Sequence, residues 1–366
     1  MAKHTPIIRQ SLTAMVSAGW RRAALLVCLV TALAACATPH QQLAGPSTMT
    51  PQFDDSSFIA ADGEHLPLRR WLPEGAPQAV VLALHGFNDY SNAFEAPGQY
   101  WRTRGIATFA YDQRGFGATA NAGVWPQQNS LISDMRAALA VLRQTYPDIP
   151  VYLLGESMGA AILLSAADQS ELGADGVIMA APAVWARATM DIFTRAALWL
   201  GAHLFPATEL SGRGLGVVAS DNREMILGLQ ADPLVIKHTR IDAMWGLVNL
   251  MDSALQGSAQ LSAPALILYG AKDQLISADP AAEMVSRLSG DIPVAVYENG
   301  WHMLLRDLSA KIVLQDIAAW IADHDAELPS GAVTAGNIKY ARQSDQSRSG
   351  LTAFPIHSIP DCAPSY

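Results

Sequence analysis

The chain has 366 residues, of which 50% are hydrophobic, 16% charged and 7% aromatic, with a formal net charge of −9. That apolar fraction can build a sizeable core and excludes a wholly disordered chain, and the length suits about two domains or one large α/β domain with an insertion. The balance of 24 basic against 33 acidic residues argues against nucleic acid as the main partner and against a polybasic membrane patch.

Residues 1–35 stand apart. They hold Lys3, Arg9, Arg21 and Arg22 and no acidic residue, so removing those four cations takes the net charge from −9 to −13. The apolar run Ala23 to Ala35 is shorter than the ~20 residues a spanning helix needs. A basic start, a short apolar run and small residues before a break read as a secretory signal. The break, Leu33-Ala34-Ala35-Cys36, resembles a bacterial lipobox. The resemblance implies cleavage before Cys36, lipidation of that cysteine and a place in the cell envelope. With Ala37 and Thr38 following, and no aspartate just after the cysteine, the outer membrane is favoured. An ordinary signal peptide cut elsewhere is the alternative, and Met15 is a second candidate start. Cys28, Cys36 and Cys362 are too scattered for a disulfide framework or a zinc site. Residues 36–51, rich in Pro, Gln, Ser and Thr, read as a flexible tether.

A hairpin is expected next, Ser57–Ala60 and Leu66–Leu72 around the turn signal Asp62-Gly63. Continuous apolar runs follow at Ala79–Leu84, Ile106–Tyr111, Val151–Leu154, Gly176–Met179, Ala265–Tyr269 and Pro293–Tyr297. Runs without alternation suit strands covered on both faces of a parallel sheet. Asn129–Tyr146 carries apolar residues at helical spacing, from Leu131 to Leu142. Strands alternating with helices predict a mainly parallel sheet. The core is expected over 52–184 and 263–327. Between them, 185–262 shows no clear strand, only apolar helical sequence such as Met190–Leu204 and Met225–Leu229. That is too long for a plain loop and reads as a helical cap. Residues 328–366 read as a mostly disordered tail.

The strongest motif is Gly155-Glu156-Ser157-Met158-Gly159, between the run from Val151 and a stretch of small residues. Gly-x-Ser-x-Gly at a strand-to-helix turn is a nucleophile elbow, which lifts the serine Oγ above the sheet edge. A serine needs a base, and the base needs an orienter. Around such an elbow the chain order is serine, acid, histidine. Asp273 follows the run ending at Tyr269, and His302 follows the run ending at Tyr297, each in a glycine turn. They are the candidate orienter and base. The oxyanion hole is expected from two backbone N–H groups, those of Met158 and Phe87, where Gly86 gives the loop its freedom to turn. His85 is expected to orient that loop, and Asp112 to pair with Arg114.

Together, His85-Gly86, Asp112-Gln113-Arg114-Gly115-Phe116-Gly117, Gly155 to Gly159, Tyr269 to Asp273, and Trp301-His302 resemble the α/β-hydrolase superfamily. Within it they resemble the monoacylglycerol lipase and lysophospholipase branch, grouped with serine aminopeptidase-like hydrolases. The segment Ser220-Asp221-Asn222 to Ala231-Asp232-Pro233-Leu234 resembles that branch too. The likeness spans about residues 55 to 325. It implies an α/β-hydrolase fold, a mostly parallel eight-stranded sheet flanked by helices with a helical cap. It also implies a Ser157–His302–Asp273 triad cleaving carboxylic esters through an acyl-enzyme, with no metal or organic cofactor.

The cap is rich in apolar residues, among them Trp185, Phe193, Trp199, Phe205 and Trp245. These suit an acyl chain, although packing onto the core is an equal reading. With no basic cluster in the cap, a monoacylglycerol or a related lipid ester is favoured over a lysophospholipid. An aminopeptidase of the proline iminopeptidase type would need acids to hold a free amine, and Glu156, Asp191 and Glu209 are available. A binding lipoprotein without catalysis is the non-enzyme reading. The sequence leaves the oligomeric state open.

Overall fold

The computed structural model describes residues 39–212, 216–290 and 292–332, with Trp20 and Ala24 besides. The expected signal segment apart from those two residues, Cys36, Cys362 and most of the expected tail therefore lie outside the described residues.

Among the described residues, eleven strands fall in two sheets: β1 (Gln52–Phe53), β2 (Ser57–Ile59), β3 (His65–Trp71), β4 (Ala79–Leu84), β5 (Ile106–Tyr111), β6 (Val151–Glu156), β7 (Gly176–Ala180), β8 (Glu209–Ser211), β9 (His238–Arg240), β10 (Ala265–Gly270) and β11 (Val294–Tyr297). Nine of them form one sheet in the order β1-β2-β3-β5-β4-β6-β7-β10-β11. From β5 to β11 every pairing is parallel, while β1, β2 and β3 pair antiparallel at one edge. The expected sheet had eight strands; β1 adds a ninth. It has two residues and pairs only with β2, too little for periodicity to reveal.

Every residue of β4 is buried, because both faces of the sheet are covered. Period-two alternation sends Val80, Leu82 and Leu84 into one core and Ala79, Val81 and Ala83 into the other. On the first side lie α2 (Gln128–Thr145) and α3 (Met158–Gln169); on the second lie α1 (Glu95–Arg102) and α8 (Ala310–Ala322). A further helix, α7 (Ala278–Arg287), stands between β10 and β11. The strand order reverses around β4, so the loops after β4 and β6 open a crevice at the carboxyl ends of the strands.

Between β7 and β10 the insertion holds three long helices, α4 (Ile192–Leu204), α5 (Arg223–Ala231) and α6 (Ile241–Gly257). It also contains a two-stranded antiparallel ribbon of β8 and β9, where the sequence suggested no strand. Each strand is three residues long, and five of the six residues are polar or charged, so neither carries a strand-like apolar run. The helix α6 packs hard on the core. A Cβ at Gly257 would lie 2.0 Å from the Leu164 carbonyl oxygen, and one at Gly246 would lie 2.2 Å from the Trp125 ring. By contrast, α4 buries only Ala202 and leaves Phe193 83% exposed.

Two expected boundaries shift. The supposed tether runs along the domain: Gln42 N–H donates to the Trp125 carbonyl, and the Thr48 and Met49 amides both donate to Ala61. The first residues of the supposed tail also dock. Leu328 is buried, the Ser330 amide donates to Asp316, and the Val296 amide donates to the Ala332 carbonyl. Polar composition alone conceals such backbone pairing. Among the described residues, no helix is long and apolar enough to cross a membrane.

Candidate active site

Ser157 sits between β6 and α3 with φ 53° and ψ −109°, a conformation non-glycine residues rarely adopt. The surroundings hold it there. Its amide donates to the Ala180 carbonyl, and its carbonyl accepts from the Ala161 and Ala183 amides. The flanking glycines are required by close approach. A Cβ at Gly155 would lie 2.3 Å from the Ala160 nitrogen, and one at Gly159 would lie 2.1 Å from the Leu84 carbonyl oxygen. The turn thus presents the serine at the start of α3, where the helix dipole and first-turn amides favour negative charge.

Asp273 lies in the turn after β10, and His302 in the turn after β11. Asp273 Oδ1 accepts from the Leu275 and Ile276 amides, which fixes the carboxylate. Its Oδ2 lies 2.7 Å from His302 Nδ1, and His302 Nε2 lies 2.9 Å from Ser157 Oγ. With Nδ1–H donated to the carboxylate, Nε2 is left as acceptor for the serine hydroxyl. Burial would push the imidazole pKa down. The charge and hydrogen bond of Asp273 outweigh that, and His302 stands above its ordinary value. Such a chain can take the serine proton during attack on a carbonyl and return it to a leaving group.

The loop after β4 runs beside the serine, with a Cβ on Gly86 falling 3.5 Å from Ser157 Cβ. The next residue is Phe87, whose ring packs edge-on to Phe116 and tilted to Trp125, so its side chain belongs to the core. Met158 opens α3, where an amide has no acceptor within the helix. His85 is fully buried; its Nε2 accepts from the Gln113 amide, tying the end of β4 to the end of β5. The expected Asp112–Arg114 pair is not formed. Asp112 accepts from the Ser91 amide and hydroxyl and from the Ala118 amide. The tight turn closes over its carboxylate, since a Cβ on Gly117 would lie 2.3 Å from Asp112 Oδ2. Arg114 instead reaches Asp62 and Asp134, at 2.7 and 2.5 Å.

Sequence reasoning missed one cluster. Arg306, four residues past His302, pairs with Asp89 at 2.7 Å and Glu156 at 3.2 Å, all three nearly buried. The partners are too far apart in the chain for spacing to reveal. Of the acids considered for an amine site, Glu156 is thus engaged, and Asp191 caps α4 by accepting from the Phe193 and Thr194 amides. Among the described residues, no group of three or more His, Cys, Asp or Glu side chains could hold a metal ion.

The family model Hydrolase_4, described as serine aminopeptidase, S33, matches residues 75–309. A monoacylglycerol lipase from Mycolicibacterium smegmatis is 27% identical, over 74% of this chain and 97% of its own. A monoglyceride lipase from Rattus norvegicus is also 27% identical, over 74% of this chain and 91% of its own. Among solved structures, a soluble variant of the Saccharomyces cerevisiae monoglyceride lipase aligns with a TM-score of 0.64 at 20% identity, covering 79% of this chain and 99% of its own. That likeness is one of fold.

Proposed function

The chain belongs to the serine aminopeptidase S33 family of α/β-hydrolases and is a carboxylic ester hydrolase, and from that premise we propose that it cleaves monoacylglycerols or closely related lipid esters through an acyl-enzyme. The observation that carries this reading is the unbroken hydrogen-bond chain from Ser157 through His302 to Asp273. Ser157 Oγ attacks the ester carbonyl carbon as His302 Nε2 takes its proton. The tetrahedral oxyanion is held by the Phe87 and Met158 amides. The bond to the alcohol then breaks, and the alcohol leaves with the proton from His302. Water enters, gives its proton to His302 and attacks the acyl carbon. The acid is released, and the proton returns to Ser157.

The lipid character of the substrate is supported by the names of the relatives and by the apolar insertion. The exposed side chains of Ile192, Phe193, Leu200 and Phe205 suit contact with acyl chains. The aminopeptidase reading is less supported, because Glu156 faces Arg306. Lipidation at Cys36, with removal of residues 1–35, would hold the enzyme in the bacterial envelope, with the outer membrane favoured. The test is a panel of p-nitrophenyl esters of rising chain length, monoacylglycerols, lysophospholipids and aminoacyl amides. The expected order places monoacylglycerols first and amides last. Turnover confined to aminoacyl amides would overturn the proposal.

A further inference from the structure

We propose that Arg306 is a positioning residue of this hydrolytic site, a buried tie that joins the histidine turn to the elbow and to the loop after β4. The inference rests on the reading of Ser157, His302 and Asp273 given above.

Three parts of the site meet at one guanidinium. Arg306 stands four residues beyond His302 in the same turn region. Its Nη2 lies 2.7 Å from Asp89 Oδ2, at the end of the loop that starts with His85-Gly86-Phe87. The same nitrogen lies 3.2 Å from Glu156 Oε2, the residue immediately before Ser157. A fourth part is attached through the backbone, where the Arg306 carbonyl accepts from Asn222 Nδ2 of the insertion. Base, nucleophile and oxyanion loop are thus cross-linked by a side chain that is not itself in the Ser–His–Asp chain.

The cluster is costly to bury. The side chains of Arg306, Asp89 and Glu156 are 10%, 8% and 3% exposed. One cation faces two acids, so the group is not a neutral pair. A buried ionic cluster is seldom the most stable filling for its space; apolar side chains of similar volume commonly do as well or better. What an apolar filling would lack is the charge pairing of one guanidinium with acids from two other segments. Burial drives the Glu156 pKa up, and the charge of Arg306 opposes that.

The charges also reach the base. On His302, Asp273 and Glu156 favour the imidazolium, and Arg306 opposes it. The other groups facing this cluster are His85 and Asp112, just past the ends of β4 and β5, and Asp307 beside Arg306. A base must be neutral to accept the serine proton. Arg306 therefore opposes the acids that favour the protonated form of His302. Lysine keeps the charge but not the planar reach of arginine.

The experiment measures kcat, KM and the acid limb of kcat/KM for a short p-nitrophenyl ester, in wild type and in Arg306→Gln, Arg306→Lys, Glu156→Gln and Ser157→Ala. Circular dichroism checks folding. For Arg306→Gln, the expected loss is about tenfold or more in kcat with KM within about threefold, and the acid limb moves to higher pH. Arg306→Lys should leave the limb at the wild-type position and retain more kcat than the glutamine variant. Glu156→Gln should move the limb to lower pH. A folded Arg306→Gln protein with kcat within about twofold of wild type, or with an unmoved limb, overturns the proposal. If Arg306→Gln fails to fold, Glu156→Gln decides: a downward shift supports the tie, and an unmoved or upward limb overturns it. Ser157→Ala separates the two levels, since near-normal turnover there would remove the underlying site reading, whereas an inactive Ser157→Ala beside an unaffected Arg306→Gln removes only the tie.

Discussion

At Ser157 the backbone is held at φ 53° by three main-chain hydrogen bonds and by neighbours that leave room for glycine alone on either side. Strain of this kind costs about 1–3 kcal/mol and persists only where the surroundings impose it. Ser157→Ala should therefore abolish ester turnover while leaving the melting temperature at or near that of wild type. Gly159→Ala should do the reverse of a silent change. Its Cβ would stand 2.1 Å from a backbone oxygen of β4, which cannot swing aside. A loss on the order of 3 kcal/mol, read by denaturant unfolding, is expected. The pH dependence follows from His302. Its pKa lies above the ordinary ~6.5 of imidazole. With the neutral ring as the proposed base, kcat/KM should fall as pH drops through a midpoint above that value. A midpoint at or below ~6.5 would contradict the Asp273 contribution. The three residues proposed as the triad, which the fold brings into contact, were legible in the sequence because each follows a strand run in a glycine turn. Arg306 was not, because its partners Asp89 and Glu156 become neighbours only when the sheet brings three turns together.

The helices and strands that carry the site also tie it to the insertion. Ser220 Oγ donates to Asp307 Oδ1 at 2.5 Å, and Asp307 Oδ2 accepts from the Trp301 amide at 2.7 Å. The Met303 amide donates to the Ala219 carbonyl. On the other side, Asn88 Nδ2 donates to Thr239 and Tyr90 OH to Asp232. Segments 219–222 and 232–239 thus brace the histidine turn and the loop after β4. Burial raises the Asp307 pKa, and the Ser220 hydroxyl opposes that. Ser220→Ala should cost about 1–3 kcal/mol and lower kcat even on a short ester, because the carboxylate that holds the Trp301 amide loses a donor. Equal kinetics on the short ester would show that the insertion does not brace the turn. Excising 188–256 should accordingly impair all esters, with long acyl esters losing most. The six strands of the parallel part, from β5 to β11 in sheet order, were readable as continuous apolar runs, since a sheet covered on both faces leaves few polar positions. Strands β1, β8 and β9 were not, having two or three residues apiece and no repeat long enough to count.

Across the molecule, the acidic charge, the apolar face of α4 and the N-terminal segment bear on where the enzyme works. The backbone from Gln42 onward is bound to the domain. If Cys36 carries lipid, as proposed, the stretch from it to Gln42 spans about six residues, roughly 20 Å when fully extended. The domain would then stay close to the bilayer. Cys36→Ser should move the enzyme from the membrane fraction to the soluble fraction or leave uncleaved precursor; a mature wild-type N-terminus that begins elsewhere and bears no lipid would remove the anchor and leave the hydrolase intact. The central claim, a serine-dependent lipid esterase, is tested most directly by incubating wild type and Ser157→Ala with monooleoylglycerol and following oleate by mass spectrometry. The account predicts that wild type releases oleate and glycerol in equal amounts and that Ser157→Ala releases neither. Oleate release by Ser157→Ala at the wild-type rate, or none from the folded wild-type enzyme, would contradict it.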